Sequence, residues 1–157
     1  MCRLSTPPDG KWSTTTYHQV AHLSVRQVNR IVIFYSIVEL SEEIKEIIQH
    51  VHNECVGKTG VAEEDIANCE NGIFKEDVKL KCYMFCLLEE GSLVDEDGNV
   101  DYDMMVSLIP DKYTDRVEKM INACKGLDTP DKDKCQRAFD VHKCSYSKDP
   151  KVSLIII

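Results

Sequence analysis

The sequence predicts an all-α protein with one folded domain that is cross-linked by disulfides. From residue 41 onwards, apolar residues recur at three- and four-residue steps in short segments separated by Gly, Pro and Asn-Gly breakers, and no strand series or internal repeat appears. A chain of 157 residues, 43% hydrophobic and 29% charged, has room for one core. Seven of its eight cysteines fall between residues 55 and 144, a density typical of oxidised, extracellular proteins.

Three helices are predicted in the first half of this region. The first begins with the capping residue Ser41 and ends at Gly57. A short second helix covers AEEDIANCE, residues 62–70. The third lies in EDVKLKCYMFCLLEEG, residues 76–91, and is closed by Gly91. Its apolar side chains point in nearly every direction around the axis, so it is predicted to be the central, most buried helix.

Three more helices are predicted in the second half. After the turn-rich segment SLVDEDGNVDYD, a short fourth helix stops before Pro110. Asp111 is expected to cap the fifth helix, which ends at Gly126. The sixth is expected to open at Pro130 and to run through Cys144.

The cysteine spacing restricts the disulfides without defining them. Cys82 and Cys86 are separated by one helical turn, where Cβ atoms lie roughly 5–6 Å apart, whereas a disulfide needs about 3.8 Å. They should therefore not bond to each other. With no CxxC pair, and with histidines that do not form the pairs used by zinc modules, a zinc site is not favoured. Setting Cys2 and Cys69 aside leaves six cysteines and 15 pairings, from which this argument removes three.

The amino-terminal region is expected to lie outside the domain. Residues 1–38 are interpreted as an atypical leader or an altered signal region, and residues 39–157 as the domain. The apolar stretch IVIFYSIVEL, residues 31–40, has roughly the length of a signal core but comes late and lacks a clear cleavage site. A strand or helix packed on the domain is the alternative. The stretch is too short to span a membrane.

Composition and motifs exclude several classes of function. The net charge of −8, without a cluster of Lys or Arg, argues against nucleic acid as a partner. No GxSxG or HExxH motif is present, so an enzyme is not predicted. The acidic loop around Gly98 has Leu93 and Met104 where an EF-hand needs oxygen ligands. Neither a cofactor nor a metal site is predicted.

Six cysteines and several local motifs together carry a resemblance. The spacing Cys-x26-Cys-x3-Cys-x37-Cys-x10-Cys-x8-Cys begins at Cys55 with ECVGKTGV, continues through KCYMFC and VDEDGNVD, and ends with AFDVHKC at Cys144. Over residues 40–157 this pattern is similar to the insect odorant-binding proteins of the pheromone/general-odorant-binding family. The later motif DPK, residues 149–151, with its apolar end resembles the antennal subgroup.

The resemblance implies a fold, disulfides and a function. It implies six short helices around a hydrophobic ligand cavity, with the carboxy-terminal tail as a lid. The pairings implied are Cys55–Cys86, Cys82–Cys135 and Cys124–Cys144. The function implied is a secreted carrier of small hydrophobic ligands, such as odorants or pheromones. An odorant receptor and a homodimer are further partners that the resemblance allows, although no residue points to either.

The same resemblance carries over a set of ligand-binding positions. They lie on the fourth, fifth and sixth helices and on the tail: Tyr102, Met105, Leu108, Val117, Met120, Ile121, His142, Ser153, Leu154 and Ile155. Leu88 is added from the pattern of the third helix. Methionines adapt to irregular ligands, and a mostly apolar cleft binds small lipophiles. The alternative for each position is an ordinary core residue.

Several residues depart from the family pattern. Ser145 and Ser153 stand where similar proteins often have Trp and Tyr, which predicts a roomier or differently closed pocket. Cys2 and Cys69 have no place among the six cysteines and are expected to be free or intermolecular. Glu118 is expected to point outward, because an unpaired buried carboxylate is costly.

His142 and the tail suggest a response to pH. His142 follows Phe139 and Cys135 at helical spacing, so its side chain is expected to face inward. A histidine can act as a pH switch, although a packed, satisfied histidine is the ordinary case. The resemblance implies ligand release in acid, through protonation of His142 or of the terminal carboxylate of Ile157. The apolar tail is expected to pack on the domain, with a frayed end as the alternative.

A second function remains open at this point. A disulfide-stabilised helical protein with a filled core could serve in protein interaction or defence instead of carrying ligands. Uptake of an apolar fluorescent probe, followed by its displacement with odorants, distinguishes a carrier from a protein with a filled core.

Overall fold

The computed structural model describes residues 42–153, in which the regular secondary structure is helical apart from one isolated antiparallel bridge between Val94 and Val100. Within the described part, residues 46–153 belong to one compact unit. The helices in the described part are α1 (Glu42–Thr59), α2 (Glu63–Cys69), α3 (Val78–Glu90), α4 (Tyr102–Ser107), α5 (Asp111–Cys124), α6 (Lys134–Lys148) and α7 (Pro150–Ser153). A 3₁₀ helix, Lys125–Leu127, follows α5. The six predicted helices are present, and α7 is an additional one. The predicted leader, residues 1–38, lies outside the described residues.

Aspartates cap α3 and α4 at their amino-terminal ends. The Asp77 carboxylate accepts hydrogen bonds from the backbone N–H groups of Lys79 and Leu80, at 2.9 and 3.3 Å. Asp101 accepts one from Met104 at 2.9 Å. These bonds satisfy backbone donors that have no partner within the helix. Gly91 follows α3 at its carboxy-terminal end, as predicted.

The structure corrects two predicted helix starts. Asp111 is the first residue of α5 and does not cap it; Pro110 occupies the capping position. α6 begins at Lys134 and not near Pro130, because the Asp133 carboxylate accepts from the backbone N–H of Gln136 at 3.0 Å. A carboxylate cap gives this helix a stronger start than a proline four residues earlier.

The core is centred on the contact between α3 and α6. Leu80, Tyr83 and Met84 of α3 are buried, and Phe139 of α6 is fully buried. One apolar residue of α3, Val78, is 72% exposed at the first turn of the helix. α3 therefore has a buried face and an exposed face, although it supplies more core residues than any other described helix.

Three disulfides connect the helices. Cys55–Cys86 joins α1 to α3, and Cys82–Cys135 joins α3 to α6. The third, Cys124–Cys144, joins α5 to α6. These are the pairings that the resemblance implies. Cys82 and Cys86 are not bonded to each other, and α3 is tied to two different neighbours.

The remaining cysteine in the described part, Cys69, is a buried free thiol. Its Sγ donates to the carbonyl oxygen of Asp65 at 3.4 Å, and burial raises its pKa to about 11. Such a thiol is unreactive at neutral pH. Cys2 lies outside the described residues.

α7 begins the carboxy-terminal tail. This four-residue helix packs on α5 and α6, and its Val152 and Ser153 are almost completely buried. The apolar end of the tail, residues 154–157, lies outside the described residues.

Candidate functional site

A cavity lies among α3, α4, α5, α6 and α7. Its apolar wall consists of Phe85, Leu88, Val100, Met105, Ile121 and Val141. Its polar wall consists of Tyr102, Asp128, Lys134, Arg137, His142, Ser145 and Ser153. The cavity volume is about 30 Å³. Because roughly 10–15 Å³ of such space holds one water molecule, the volume corresponds to about two waters.

One cluster of polar residues in the wall forms a network whose members hydrogen-bond to one another. The Asp128 carboxylate accepts from Arg137 Nε at 2.6 Å and from the Tyr102 hydroxyl at 3.0 Å. Arg137 also donates from Nη2 to Asn99 Oδ1 at 3.2 Å. Only 10% of the Arg137 side chain and 9% of the Asp128 side chain are exposed. The two charges thus neutralise each other inside the protein, as buried charges must.

The environment of Tyr102 follows from this network. Burial raises the pKa of its hydroxyl above the ordinary value, and the neighbouring Asp128 charge and the hydrogen bond to it raise the pKa further. The hydroxyl therefore stays protonated and keeps donating to Asp128.

The second cluster of polar residues in the wall consists of His142 and Ser153. His142 Nδ1 lies 2.8 Å from the carbonyl oxygen of Ala138. A carbonyl only accepts, so Nδ1 carries the hydrogen of this bond. Burial lowers the pKa of His142 below its ordinary value, so the imidazole is neutral near pH 7 and Nε2 is a bare acceptor. Neither His142 Nε2 nor Ser153 Oγ has a hydrogen-bond partner, although both atoms are buried.

Six of the residues that the sequence analysis assigns to ligand binding line this cavity. They are Leu88, Tyr102, Met105, Ile121, His142 and Ser153. The inward orientation predicted for His142 is confirmed, since only 5% of the residue is exposed. The structure brings residues from α3 to α7 to one place, although up to 65 positions separate them along the chain.

The other predicted wall residues do not line this cavity. Val117 and Met120 of α5 are buried in the core behind it. Leu108 is 58% exposed, because α4 ends at Ser107 and Leu108 follows as its carboxy-terminal cap. Leu154 and Ile155 lie outside the described residues. Glu118 is exposed, as predicted.

Sequence reasoning missed most of the wall that α6 contributes. Ala138, Val141, His142 and Ser145 follow one another at three- and four-residue spacing and form one stripe facing the cavity. The helical period could have identified this stripe, starting from His142. Asp128 gave no such signal, because it lies in the connection before α6 and meets Tyr102 only in the folded chain.

The described residues contain neither a candidate metal site nor a candidate membrane-spanning helix. Among residues 42–153, no group of three or more His, Cys, Asp or Glu side chains could hold a metal ion. No helix within this range is long and apolar enough to cross a bilayer.

The fold and the site define a class of small helical protein in which three disulfides hold helices around a mostly apolar internal cavity. Residues 38–148 match the model of the PBP/GOBP family, which covers well over half of the chain. The chain belongs to this family, whose members are odorant-binding carriers and not enzymes.

Curated relatives support the assignment over most of the chain. The B1 protein of Tenebrio molitor is 26% identical over 123 residues, which is 76% of this chain and 92% of the relative. General odorant-binding protein 69a of Drosophila melanogaster is 22% identical over 118 residues, covering 73% of this chain and 76% of the relative.

Solved structures show the same fold. Odorant binding protein 4 of Chrysopa pallens is 31% identical and matches with a TM-score of 0.63, over 72% of this chain and 96% of its own. Odorant binding protein 7 of Anopheles gambiae, solved with four disulfide bridges in complex with an azo compound, is 26% identical. It matches with a TM-score of 0.65, over 75% of this chain and 97% of its own.

Proposed function

We propose that this protein is an extracellular carrier that binds small hydrophobic ligands, such as odorants or pheromones, in the cavity between α3 and α7. The observation that carries the proposal is the mostly apolar wall built from five helices and their connections and framed by three disulfides. Such a wall binds lipophiles by removing their apolar surface from water. Family membership supports both the ligand class and secretion.

The small cavity volume bears on how a ligand enters. Ligand pockets usually measure about 300–1,000 Å³, whereas this cavity measures about 30 Å³. Keeping about 300 Å³ open without a ligand would destabilise the fold by about 7 kcal/mol, at about 24 cal/mol per Å³. A wall that closes in the free protein and opens around a ligand avoids this penalty. The wall side chains that would move are Met105, which is flexible, and Phe85, which is large and aromatic.

Acid release follows from His142 if the carrier proposal holds. The buried imidazole is neutral, and its pKa is lowered by burial. As the pH falls below about 6.5, the ordinary histidine pKa, an opened state takes up a proton more readily than the closed state. Acid therefore favours opening at α6, where His142 meets the cavity together with Ser153 of α7. The carboxylate of Ile157, the other predicted trigger, lies outside the described residues.

The same small volume favours a second candidate. A helical protein whose core is filled, acting in interaction or defence, needs no cavity larger than about 30 Å³. The two candidates differ in one property, since a protein with a filled core takes up no apolar probe.

A displacement assay tests the proposal. The protein is titrated with an apolar fluorescent probe at pH 7, and odorants are then added to release it. Ala138→Leu adds bulk to the cavity wall, and we expect it to weaken probe binding at least tenfold. Ala123→Leu, on the exposed side of α5, is the matched control and should bind as the natural protein does. Absence of probe uptake by the natural protein would favour the filled-core candidate.

Acid release has its own test. Probe affinity is measured at pH 7 and pH 5 for the natural protein, for His142→Ala and for a chain ending at Ser153. We expect the drop in affinity to shrink in at least one variant. An unchanged drop in both variants rejects the proposed trigger without affecting carriage. A receptor and a homodimer remain proposals. Binding measurements with a receptor would test the first, and sedimentation of the protein would test the second.

A further inference from the structure

Two buried polar atoms of the cavity wall have unused hydrogen-bonding capacity. His142 is 5% exposed and Ser153 is 1% exposed, and His142 Nε2 and Ser153 Oγ are the buried side-chain N and O atoms of residues 42–153 that have no partner. Buried polar atoms are nearly always bonded, and an unpaired one on a cavity wall calls for a partner inside the cavity. The two atoms are not bonded to each other.

The chemistry of the missing partner follows from the bonds already present. Nδ1 of His142 donates to the carbonyl of Ala138, so in the neutral ring Nε2 has a lone pair and no hydrogen. A partner for Nε2 must therefore be a donor. Ser153 Oγ carries a hydroxyl hydrogen without an acceptor, so a partner for it must also be able to accept.

A hydroxyl group is the smallest head group that meets both requirements. An ether, ester, aldehyde or ketone oxygen can accept from Ser153 but leaves His142 Nε2 unpaired. An ammonium group cannot accept, and a carboxylate has no hydrogen to donate to His142 Nε2 and would bring a charge into a mostly apolar cavity. An amide offers both functions but has more polar atoms to remove from water.

We propose that the cavity selects lipophilic alcohols and phenols, whose hydroxyl donates to His142 Nε2 and accepts from Ser153 Oγ. The proposal rests on the proposed carrier function and specifies its ligand class. The apolar part of the ligand then lies against Leu88, Met105 and Ile121, which line the same cavity. Among the other polar wall groups, Tyr102 and Arg137 both donate to Asp128 and are thereby engaged within the wall.

Two isomers test the selection without changing ligand size. Decan-1-ol and methyl nonyl ether have the same atoms, but only the alcohol can donate a hydrogen bond. Each is used to displace an apolar fluorescent probe from the natural protein at pH 7. We expect the alcohol to bind about tenfold more tightly than the ether, because the ether leaves Nε2 buried and unpaired. Hydrophobicity alone predicts the opposite order, since the ether is the less polar isomer.

A serine variant locates the effect. Ser153→Ala removes the hydroxyl that donates to the ligand oxygen. Because the alcohol and the ether can both accept this bond, we expect both to bind about three- to tenfold more weakly, while the preference for the alcohol remains. Ser147→Ala is the matched control, because Ser147 lies on the exposed side of α6 and its hydroxyl bonds to the carbonyl of Cys144. The control should bind both isomers as tightly as the natural protein does.

The histidine is observed directly by nitrogen NMR of the protein labelled in its imidazole rings. Adding decan-1-ol should shift the Nε2 resonance of His142 in the direction of an accepted hydrogen bond, whereas the ether should not. Equal affinities of the two isomers, with no such shift, overturn the inference while probe binding still supports carriage. Failure of the natural protein to bind any probe would instead remove the carrier proposal itself.

Discussion

The cavity wall holds two polar regions that differ in how their groups are satisfied. The Asp128 region, consisting of Asp128, Arg137 and Tyr102, bonds internally. The His142 region, consisting of His142 and Ser153, leaves one buried atom of each residue without a partner. Both regions belong to one cavity of the same protein. Burial and polarity alone therefore do not separate structural groups from groups that are available to a ligand.

The difference lies in the balance of donors and acceptors. In the Asp128 region, one carboxylate receives hydrogen bonds from two donors, so removing any member leaves another buried and unpaired. In the His142 region, removing Ser153 Oγ leaves nothing behind that had depended on it. Mutations should accordingly destabilise the fold in the first region and change binding in the second.

The largest expected effect is on the Asp128 region. Arg137→Met keeps most of the side-chain volume but leaves the Asp128 carboxylate buried without its cation. We expect the free energy of unfolding to fall by about 3–5 kcal/mol. Urea unfolding with the disulfides intact, followed by far-ultraviolet circular dichroism, measures the change.

A matched variant on the same helix provides the control. Lys143 pairs with Glu76 at 3.1 Å, and about half of each side chain is exposed. Lys143→Met should change the free energy of unfolding by less than about 1 kcal/mol, because solvent screens such a pair. Equal losses in the two variants would remove the distinction between a buried and an exposed ion pair on α6.

The second-largest effect on stability comes from losing the Tyr102–Asp128 hydrogen bond while the Arg137–Asp128 ion pair remains. Tyr102→Phe removes the donor to Asp128, and we expect a loss of about 1.5–3 kcal/mol. The folded-state pKa of Tyr102 is raised above its ordinary value of about 10. Its contribution is therefore complete below pH 10 and declines as the pH rises, since the unfolded chain ionises first. The stability difference between the natural protein and the variant should shrink from pH 9 to pH 11.

Much of the fold was accessible from the sequence because its signals are local. Helical spacing predicted six helices, and Gly91 ends α3 as expected. The start of α6 was missed because Pro130 and the capping residue Asp133 lie three residues apart, and the Asp133 carboxylate forms the bond that Pro130 cannot. The disulfide pairing needed the family resemblance, since helix geometry only excluded Cys82–Cys86.

The candidate site was less accessible because it depends on tertiary contacts. Leu108 was predicted to line the wall from the family resemblance, but α4 ends at Ser107 and Leu108 is exposed. Asp128 meets its partners from a connection that has no periodicity. No sequence pattern shows that His142 Nε2 lacks a partner, because that requires knowing where every neighbouring donor lies.

The third-largest effect concerns His142 and the dependence of the free energy of unfolding on pH. The pKa of His142 is lowered by burial. Stability from its neutral form is therefore fully present above about pH 6.5 and is lost as the pH falls towards the folded-state pKa. One such group contributes at most about 1.4 kcal/mol per pH unit. We expect His142→Met to reduce the slope of stability against pH between 6.5 and 5, as measured by urea unfolding.

A histidine outside the cavity is the control for whether the dependence of stability on pH arises at His142. His50 is exposed on α1, and His50→Met should leave the slope unchanged. The charged cavity residues near His142 are Asp128, Lys134 and Arg137, and the first and last are paired with each other. A slope that persists in His142→Met would assign the acid response to carboxylates elsewhere in the protein.

The smallest effect on stability is also the most direct test of the contrast between the two regions. Ser153→Ala deletes a buried hydroxyl that has no partner, so we expect the free energy of unfolding to stay the same or to rise by up to about 1 kcal/mol. Tyr102→Phe deletes a hydroxyl from the same cavity and should destabilise the protein, because that hydroxyl has a partner. A loss of more than 1 kcal/mol in Ser153→Ala would mean that Ser153 Oγ is satisfied in the free protein. The His142 region would then resemble the Asp128 region, and the proposed site for a ligand hydroxyl would lose one of its two contacts.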